Sequence, residues 1–374
     1  MSLTRRDLLT SAALLLASPR GAFAANEARP GGASAAPTAD HPYLLHWNEN
    51  PYGPPPAARE AIAGTIQQTC RYLTPDDEDA LIALLASREG VTPQQIVTGT
   101  GSGELLRALG LMVGRQGGEI VTADPTYDEL VEYGRQTGAK IVAVPLDKNL
   151  RQDLDAMQKL VTEKTRLVYL CNPHNPSGTG LNAGRIASFI EALPPQVIVV
   201  VDEAYIEFAN GPGVRSLVPL LRTGANIVVL RTFSKLYGMA GLRFGYAIAP
   251  KAVAEAFGPL RMTWSNVFAA PAVRAALGDV EFASNTRRRI QASRLAITGE
   301  LANLGLRFAE PQGNFVFFDT GMPHARFAEL MKAEHVIVGR KFAPYDSWCR
   351  ITVGTEPEVD WFLKSLRKVI AKGL

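Results

Sequence analysis

The sequence predicts an α/β fold on a mostly parallel sheet, and three features carry that prediction. Short β-rich runs recur between residues 95 and 249, and most are nearly continuous in apolar side chains, as strands covered on both faces are. Segments with helical spacing separate several of these runs, which favours parallel neighbours over hairpins. A chain of 374 residues with 47% apolar content can bury a large core and is long enough for two domains.

From the N-terminus, residues 1–24 read as an export signal. Arg5 and Arg6 precede the short apolar run SAALLLA, and Ala22-Phe23-Ala24 closes the segment like a cleavage site. The run is too short for a permanent membrane anchor. Removing residues 1–24 takes away three arginines and one aspartate, so the net charge falls from +3 to +1. Residues 25–40, rich in Ala, Pro and Gly, read as a disordered linker. Residues 41–70 are expected to form an N-terminal arm and part of a small domain.

Residues 71–262 are expected to form the large domain. Its strand candidates are QIVTG (95–99), EIVTA (119–123), KIVAVPL (140–146), RLVYLCN (166–172), VIVVVDEA (197–204), IVVLRTF (227–233) and RFGYAIA (243–249). Helical spacing appears in SGELLRALGLMVG, YDELVEYGRQTG and AGRIASFIEALP. The link between the last two strands is too short for a crossover, so an antiparallel edge is expected there. Residues 263–374 are expected to form a smaller α+β domain, with a long helical region near 267–305, then GNFVFFDT, CRITVGT and a closing amphipathic helix.

Composition excludes several classes. No dense Lys/Arg clustering marks a nucleic-acid surface. Three scattered cysteines, Cys70, Cys171 and Cys349, suit neither a disulfide framework nor a metal site.

In open α/β sheets ligands sit at the carboxyl ends of the strands. There the sequence places TGSGE, with Ser102 able to cap a helix and Gly101 and Gly103 able to bring backbone N–H groups near an anion. It also places Tyr127 in DPTY, Asn172 and Asn175 in CNPHNPSG, Asp202 and Tyr205 in DEAY, and Ser234 and Lys235 in TFSK. Singly, each has a plainer reading: a turn, a helix cap or a solvated lysine. Together they set an anion site, an aromatic ring, an acid, a phenol and an amine on one rim.

The set resembles fold-type I enzymes dependent on pyridoxal 5′-phosphate (PLP), the class I/II aminotransferases, and within them the histidinol-phosphate and aromatic aminotransferase branch. TFSKLYGMAGLRFG carries most of the resemblance, with NENPYGPP, NPHNPSG, DEAY and RITVGT in support. The resemblance implies a large domain on a mostly parallel seven-stranded sheet and a homodimer with shared active sites. It implies that Lys235 holds the cofactor aldehyde as a Schiff base and that Asp202 pairs with the pyridine nitrogen. Asn175 and Tyr205 would donate to the ring oxygen, and Tyr127 would stack on the ring. The phosphate would fall to Ser102, Gly103, Ser234 and Arg243, with Tyr72 arriving from the other subunit. Arg350 would fork onto the substrate carboxylate, with Asn50, Tyr52 and Asn314 nearby. His174 is expected on the surface of its turn. Trp47, Tyr52, Trp264 and Trp348 could form an aromatic pocket, although scattered aromatics more often pack elsewhere.

The expected reaction is transamination between an L-amino acid, or a histidinol-phosphate-like or aromatic amine donor, and a 2-oxo acid such as 2-oxoglutarate. A PLP-dependent decarboxylase or lyase on the same fold is an alternative. A periplasmic solute-binding protein, also exported and α/β, is a more distant one.

Overall fold

The computed structural model describes residues 36–373, so the export signal read at residues 1–24 and most of the linker after it lie outside the described residues. The chain first lays down β1 (Tyr43–Leu45), α1 (Pro56–Thr65) and α2 (Pro75–Glu89). Thr74 caps α2 by accepting the Asp77 N–H at 3.2 Å, and Gly90, at φ 66°, ends it in a left-handed turn.

The main sheet follows: β2 (Ile96–Gly99), β3 (Glu119–Asp124), β4 (Lys140–Pro145), β5 (Thr165–Cys171), β6 (Ile198–Asp202), β7 (Ile227–Thr232) and β8 (Gly245–Ile248). Their spatial order is β2-β8-β7-β6-β5-β3-β4. The helices between them are α3 (Ser102–Gly114), α4 (Glu129–Gln136), α5 (Leu154–Lys159) and α6 (Ala183–Glu191). Every neighbouring pair is parallel except those of β8, which runs against both β2 and β7. The reversal expected after IVVL is therefore present, but β8 sits inside the sheet and β2 closes the edge. A short link dictates an antiparallel return; it does not say which strand pairs on the far side.

The sheet separates two apolar layers, and alternate residues of one strand feed each. Val199 and Val201 of β6 join the layer that holds Val229, Leu170 and Phe233, whereas Val200 joins Leu105, Leu109, Leu167 and Leu230. That is why these strands read as unbroken apolar runs. On one face α3 and α4 cross at glycine. A methyl on Gly110 would stand 2.6 Å from the Leu130 carbonyl oxygen and 2.9 Å from the Gly134 nitrogen.

Beyond β8 come α7 (Lys251–Phe257), α8 (Ala269–Gly278), α9 (Val280–Asn303), β9 (Phe315–Asp319), α10 (His324–Ala333), β10 (Val336–Val338), β11 (Trp348–Thr352) and α11 (Glu356–Gly373). The long helical region expected near 267–305 is two helices. Asp279 leaves helical geometry at ψ 73° and caps α9 by accepting the Phe282 N–H at 2.9 Å. β9 pairs antiparallel with β11, and β1 reaches across the sequence to pair parallel with β10. The β9–β11 pairing carries Arg350 opposite Phe317.

Candidate active site

The carboxyl end of β6 delivers Asp202, and Lys235 stands just past the carboxyl end of β7, which closes at Thr232. The Lys235 amine donates to the carbonyls of Trp47 at 3.2 Å and Asn48 at 3.0 Å. It lies 5.5 Å from the Tyr205 ring centre. Burial, then the Arg350 charge, lowers its pKa to about 8, so a far larger minority of the amine is neutral near physiological pH than in a free lysine. Asp202 is 2% exposed. Burial raises its pKa to about 6, and the Ala204 N–H, the Lys235 charge and the Tyr169 hydroxyl oppose that rise. Among the described residues it forms no ion pair, so this buried acid still lacks a cation of its own.

Tyr205 is buried, and its hydroxyl accepts from Asn48 Nδ2 at 3.1 Å. Arg350 is buried as well. It donates to Asn175 Oδ1 at 2.5 Å and to the His46 carbonyl at 3.0 Å, while its Nε finds no partner. Its guanidinium lies 5.0 Å from the Phe342 ring centre and 5.6 Å from that of Phe315. The contact with Asn175 joins a residue expected at the cofactor to one expected at the substrate.

The glycine-rich turn behaves differently from its sequence reading in one respect. Ser102 does not cap α3; the N-cap is Gly101 at φ 83°, and no side chain caps the helix there. Backbone N–H groups at this end thus remain open to a ligand. Two close approaches shape the turn. A methyl on Gly101 would stand 2.5 Å from Arg243 Nη2, and one on Gly245 would stand 2.5 Å from the Ser102 nitrogen. Arg243 itself holds a left-handed backbone, φ 55°, and Ser234 shares a 3.0 Å hydrogen bond with Thr232. The Tyr127 hydroxyl would lie 3.9 Å from a methyl on Gly103. Burial, followed by the Glu129 and Asp202 charges, raises its pKa.

The remaining expectations divide. Asn314 is fully buried; its Nδ2 donates to the Asn48 and Glu49 carbonyls, and its Oδ1 has no partner. Asn50 Nδ2 donates to the Leu236 carbonyl at 2.7 Å, bracing the backbone beside Lys235. Tyr52 is drawn toward Arg289, whose guanidinium lies 3.9 Å from its ring centre. Tyr72 is 80% exposed and meets Trp264 edge-on at 5.5 Å.

One expectation is corrected, and one open alternative is decided in favour of separate packing. His174 is fully buried, not on the turn surface; its Nδ1 bonds Ser177 Oγ at 2.8 Å, and burial pushes its pKa down to about 3. The aromatics Trp47, Tyr52, Trp264 and Trp348 do not form one wall. Trp348 packs on Phe317 in the core, Trp264 on Tyr72 and Trp47 on His46.

Sequence reading missed Asn48. It is buried with φ 55°; its N–H donates to the Thr352 hydroxyl oxygen, its side-chain amide donates to the Tyr205 hydroxyl, and its carbonyl accepts from Lys235. Its signal was an Asn in NENPYG, a residue type tolerant of left-handed geometry.

Comparison with known proteins places this arrangement. The family Aminotransferase class I and II matches residues 41–366. A histidinol-phosphate aminotransferase from Moorella thermoacetica is 33% identical over 328 residues, covering 87% of this chain and 84% of that protein. The histidinol-phosphate aminotransferase 2 of Pseudomonas fluorescens is 36% identical over 329 residues, covering 87% and 88%. The crystal structure of histidinol-phosphate aminotransferase from Sinorhizobium meliloti in complex with pyridoxal-5′-phosphate superposes with a TM-score of 0.78 at 31% identity, covering 89% of this chain and 92% of that one. With its sheet, its lysine-bearing rim and a match along most of its length, the chain belongs to the class I and II aminotransferases.

Proposed function

We propose that the chain is a PLP-dependent transaminase that moves an amino group from an L-amino acid, or a histidinol-phosphate-like or aromatic amine, to a 2-oxo acid such as 2-oxoglutarate. One observation carries the reading: a lysine amine brought toward neutrality shares a rim with a buried, unpaired carboxylate and a buried arginine.

The residues present fit the cofactor. Asp202 needs a cation, which a protonated pyridine nitrogen is. The uncapped start of α3, with Gly101 pressed on Arg243, suits a phosphate, and Ser102, Gly103, Ser234 and Arg243 would hold it. Asn175 and Tyr205 would face the ring oxygen, and Tyr127 the ring. When bound, the cofactor supplies an electron sink for charge developing at the substrate Cα.

The chain's own groups do the rest. Arg350, held by Asn175 and the His46 carbonyl, orients a carboxylate through its remaining donors. Lys235 Nζ takes the proton from the donor Cα as general base and, in the second half-reaction, delivers one to the Cα of the 2-oxo acceptor as general acid. Asn48 and Asn314 fix the irregular segment after β1 across the site, with Asn50 bracing Leu236. The Arg289 contact sets Tyr52 beside this segment.

Two further points belong to the same proposal. Tyr72, exposed in one chain, is read as completing the phosphate site of a second copy in a homodimer. The twin-arginine segment at Arg5 and Arg6 is read as directing export to the periplasm. The first is supported by the solvent-facing Tyr72 ring and the second by the sequence pattern of the leader. Family membership sets aside the solute-binding reading.

The test is a panel of amino donors, histidinol phosphate and the aromatic amino acids among them, run against 2-oxoglutarate and pyruvate with PLP added. The reading expects amino transfer that needs both partners, followed by cofactor absorbance. Carbon dioxide release independent of the 2-oxo acid would overturn it.

A further inference from the structure

The first turn of α3 contains a carboxylate that the reaction does not use. Glu104 is buried, and its two oxygens serve two distant segments. Oε2 accepts the Thr100 N–H at 2.7 Å and the Thr100 hydroxyl at 2.8 Å. Oε1 accepts the N–H groups of Met262 at 2.7 Å and Thr263 at 2.9 Å. Burial pushes its pKa up, but these donors outweigh that and hold it ionised. Arg261 adds a second tie between the same segments, donating to the Thr98 carbonyl at 3.1 Å and to Glu78 at 3.2 Å. One residue past this clamp stands Trp264, 69% exposed and edge-on to Tyr72.

A carboxylate beside a phosphate site is costly unless it organises the site. Here it takes up the Thr100 N–H and hydroxyl and so fixes the turn that presses Gly101 on Arg243 and starts α3 without a side-chain cap. No neutral isostere can do this on both sides. A glutamine would turn an NH2 group toward either the Met262 and Thr263 N–H groups or the Thr100 N–H, and that arm would open.

We propose that Glu104 is a positioning residue that sets the geometry of the phosphate-binding turn and couples it to residues 262–264. The inference rests on the PLP reading above. It does not make Glu104 a contact of the cofactor.

The test compares equilibrium binding of PLP with that of pyridoxal, which lacks the phosphate, in the wild type and in Glu104→Gln. The variant should lose at least about tenfold in PLP affinity and change little toward pyridoxal, because only the phosphate grip depends on the turn. Equal loss for both ligands, or no loss, overturns the proposal. Should the variant fail to fold, hydrogen exchange in the wild type decides. PLP should slow exchange at the Met262 and Thr263 amides more than pyridoxal does at equal occupancy, and equal slowing overturns the coupling. A wild-type chain that binds neither ligand overturns the PLP reading and this inference with it, whereas tight PLP binding with an unchanged variant sinks the inference alone.

Discussion

Burial moves Lys235 and Asp202 in opposite directions, and both shifts favour the neutral form of the side chain. For Lys235 the pKa falls from 10.5 to about 8. The rate at which the cofactor-free chain captures PLP should therefore rise with pH through about 8 and then level. Arg350→Gln removes the second cause of the shift and should move that midpoint upward. Stopped-flow absorbance measures both, and a midpoint near lysine's ordinary 10.5 contradicts the assignment. For Asp202 the pKa rises from 3.8 to about 6, so its contribution to stability is full below 3.8 and is lost as pH climbs through about 6. Asp202→Asn, which cannot ionise, should flatten that part of the loss in thermal melts between pH 4 and 7. The same variant should lower turnover by at least about 10²-fold, because an amide cannot hold a cation in place. Turnover within a few-fold of wild type would remove Asp202 from the chemistry.

At the scale of elements, the cradle depends on how closely backbones approach. α3 carries the glycine-rich turn at its N-terminus, and its position is set by the glycine crossing with α4. Gly110→Ala should destabilise the chain by about 1–3 kcal/mol, because the methyl meets the Leu130 carbonyl and the Gly134 backbone, neither of which can turn aside. A thermal melt checks this, and an unchanged melting temperature would mean the helices can slide apart freely. Strands and most helices were legible in the sequence because two-sided burial leaves an apolar run that needs no tertiary information. The place of β8 was not, since its reversal is local while its pairing with β2 joins residues such as Ile96 and Ile248. The break between α8 and α9 was hidden for another reason: Asp279 caps a helix as well as it sits on one, and only its ψ decides. The rim residues were legible because their types are dictated by chemistry. Asn48 and Glu104 were not, for their partners Thr352 and Met262 lie far along the chain. His174 was misplaced because a turn between prolines reads as surface, whereas tertiary packing closes over this one.

At the scale of the whole molecule, the proposed export and the proposed chemistry impose one order of events. Twin-arginine export handles folded proteins, so the cofactor would be acquired before the chain leaves the cytoplasm. Replacing Arg5 and Arg6 together by lysine should leave a folded, PLP-loaded protein in the cytoplasm. Fractionation with absorbance of each fraction reads the outcome, and undiminished export would remove the signal assignment while leaving the active site untouched.

The central claim is that one amine, that of Lys235, holds the cofactor. Its most direct measurement is borohydride reduction of the PLP-treated protein, followed by digestion and peptide mass analysis. The account predicts a pyridoxyl group on the peptide that contains Lys235 and loss of that label in Lys235→Ala, which should still fold. A label on another lysine, or none on a chain that catalyses the transfer, would contradict it.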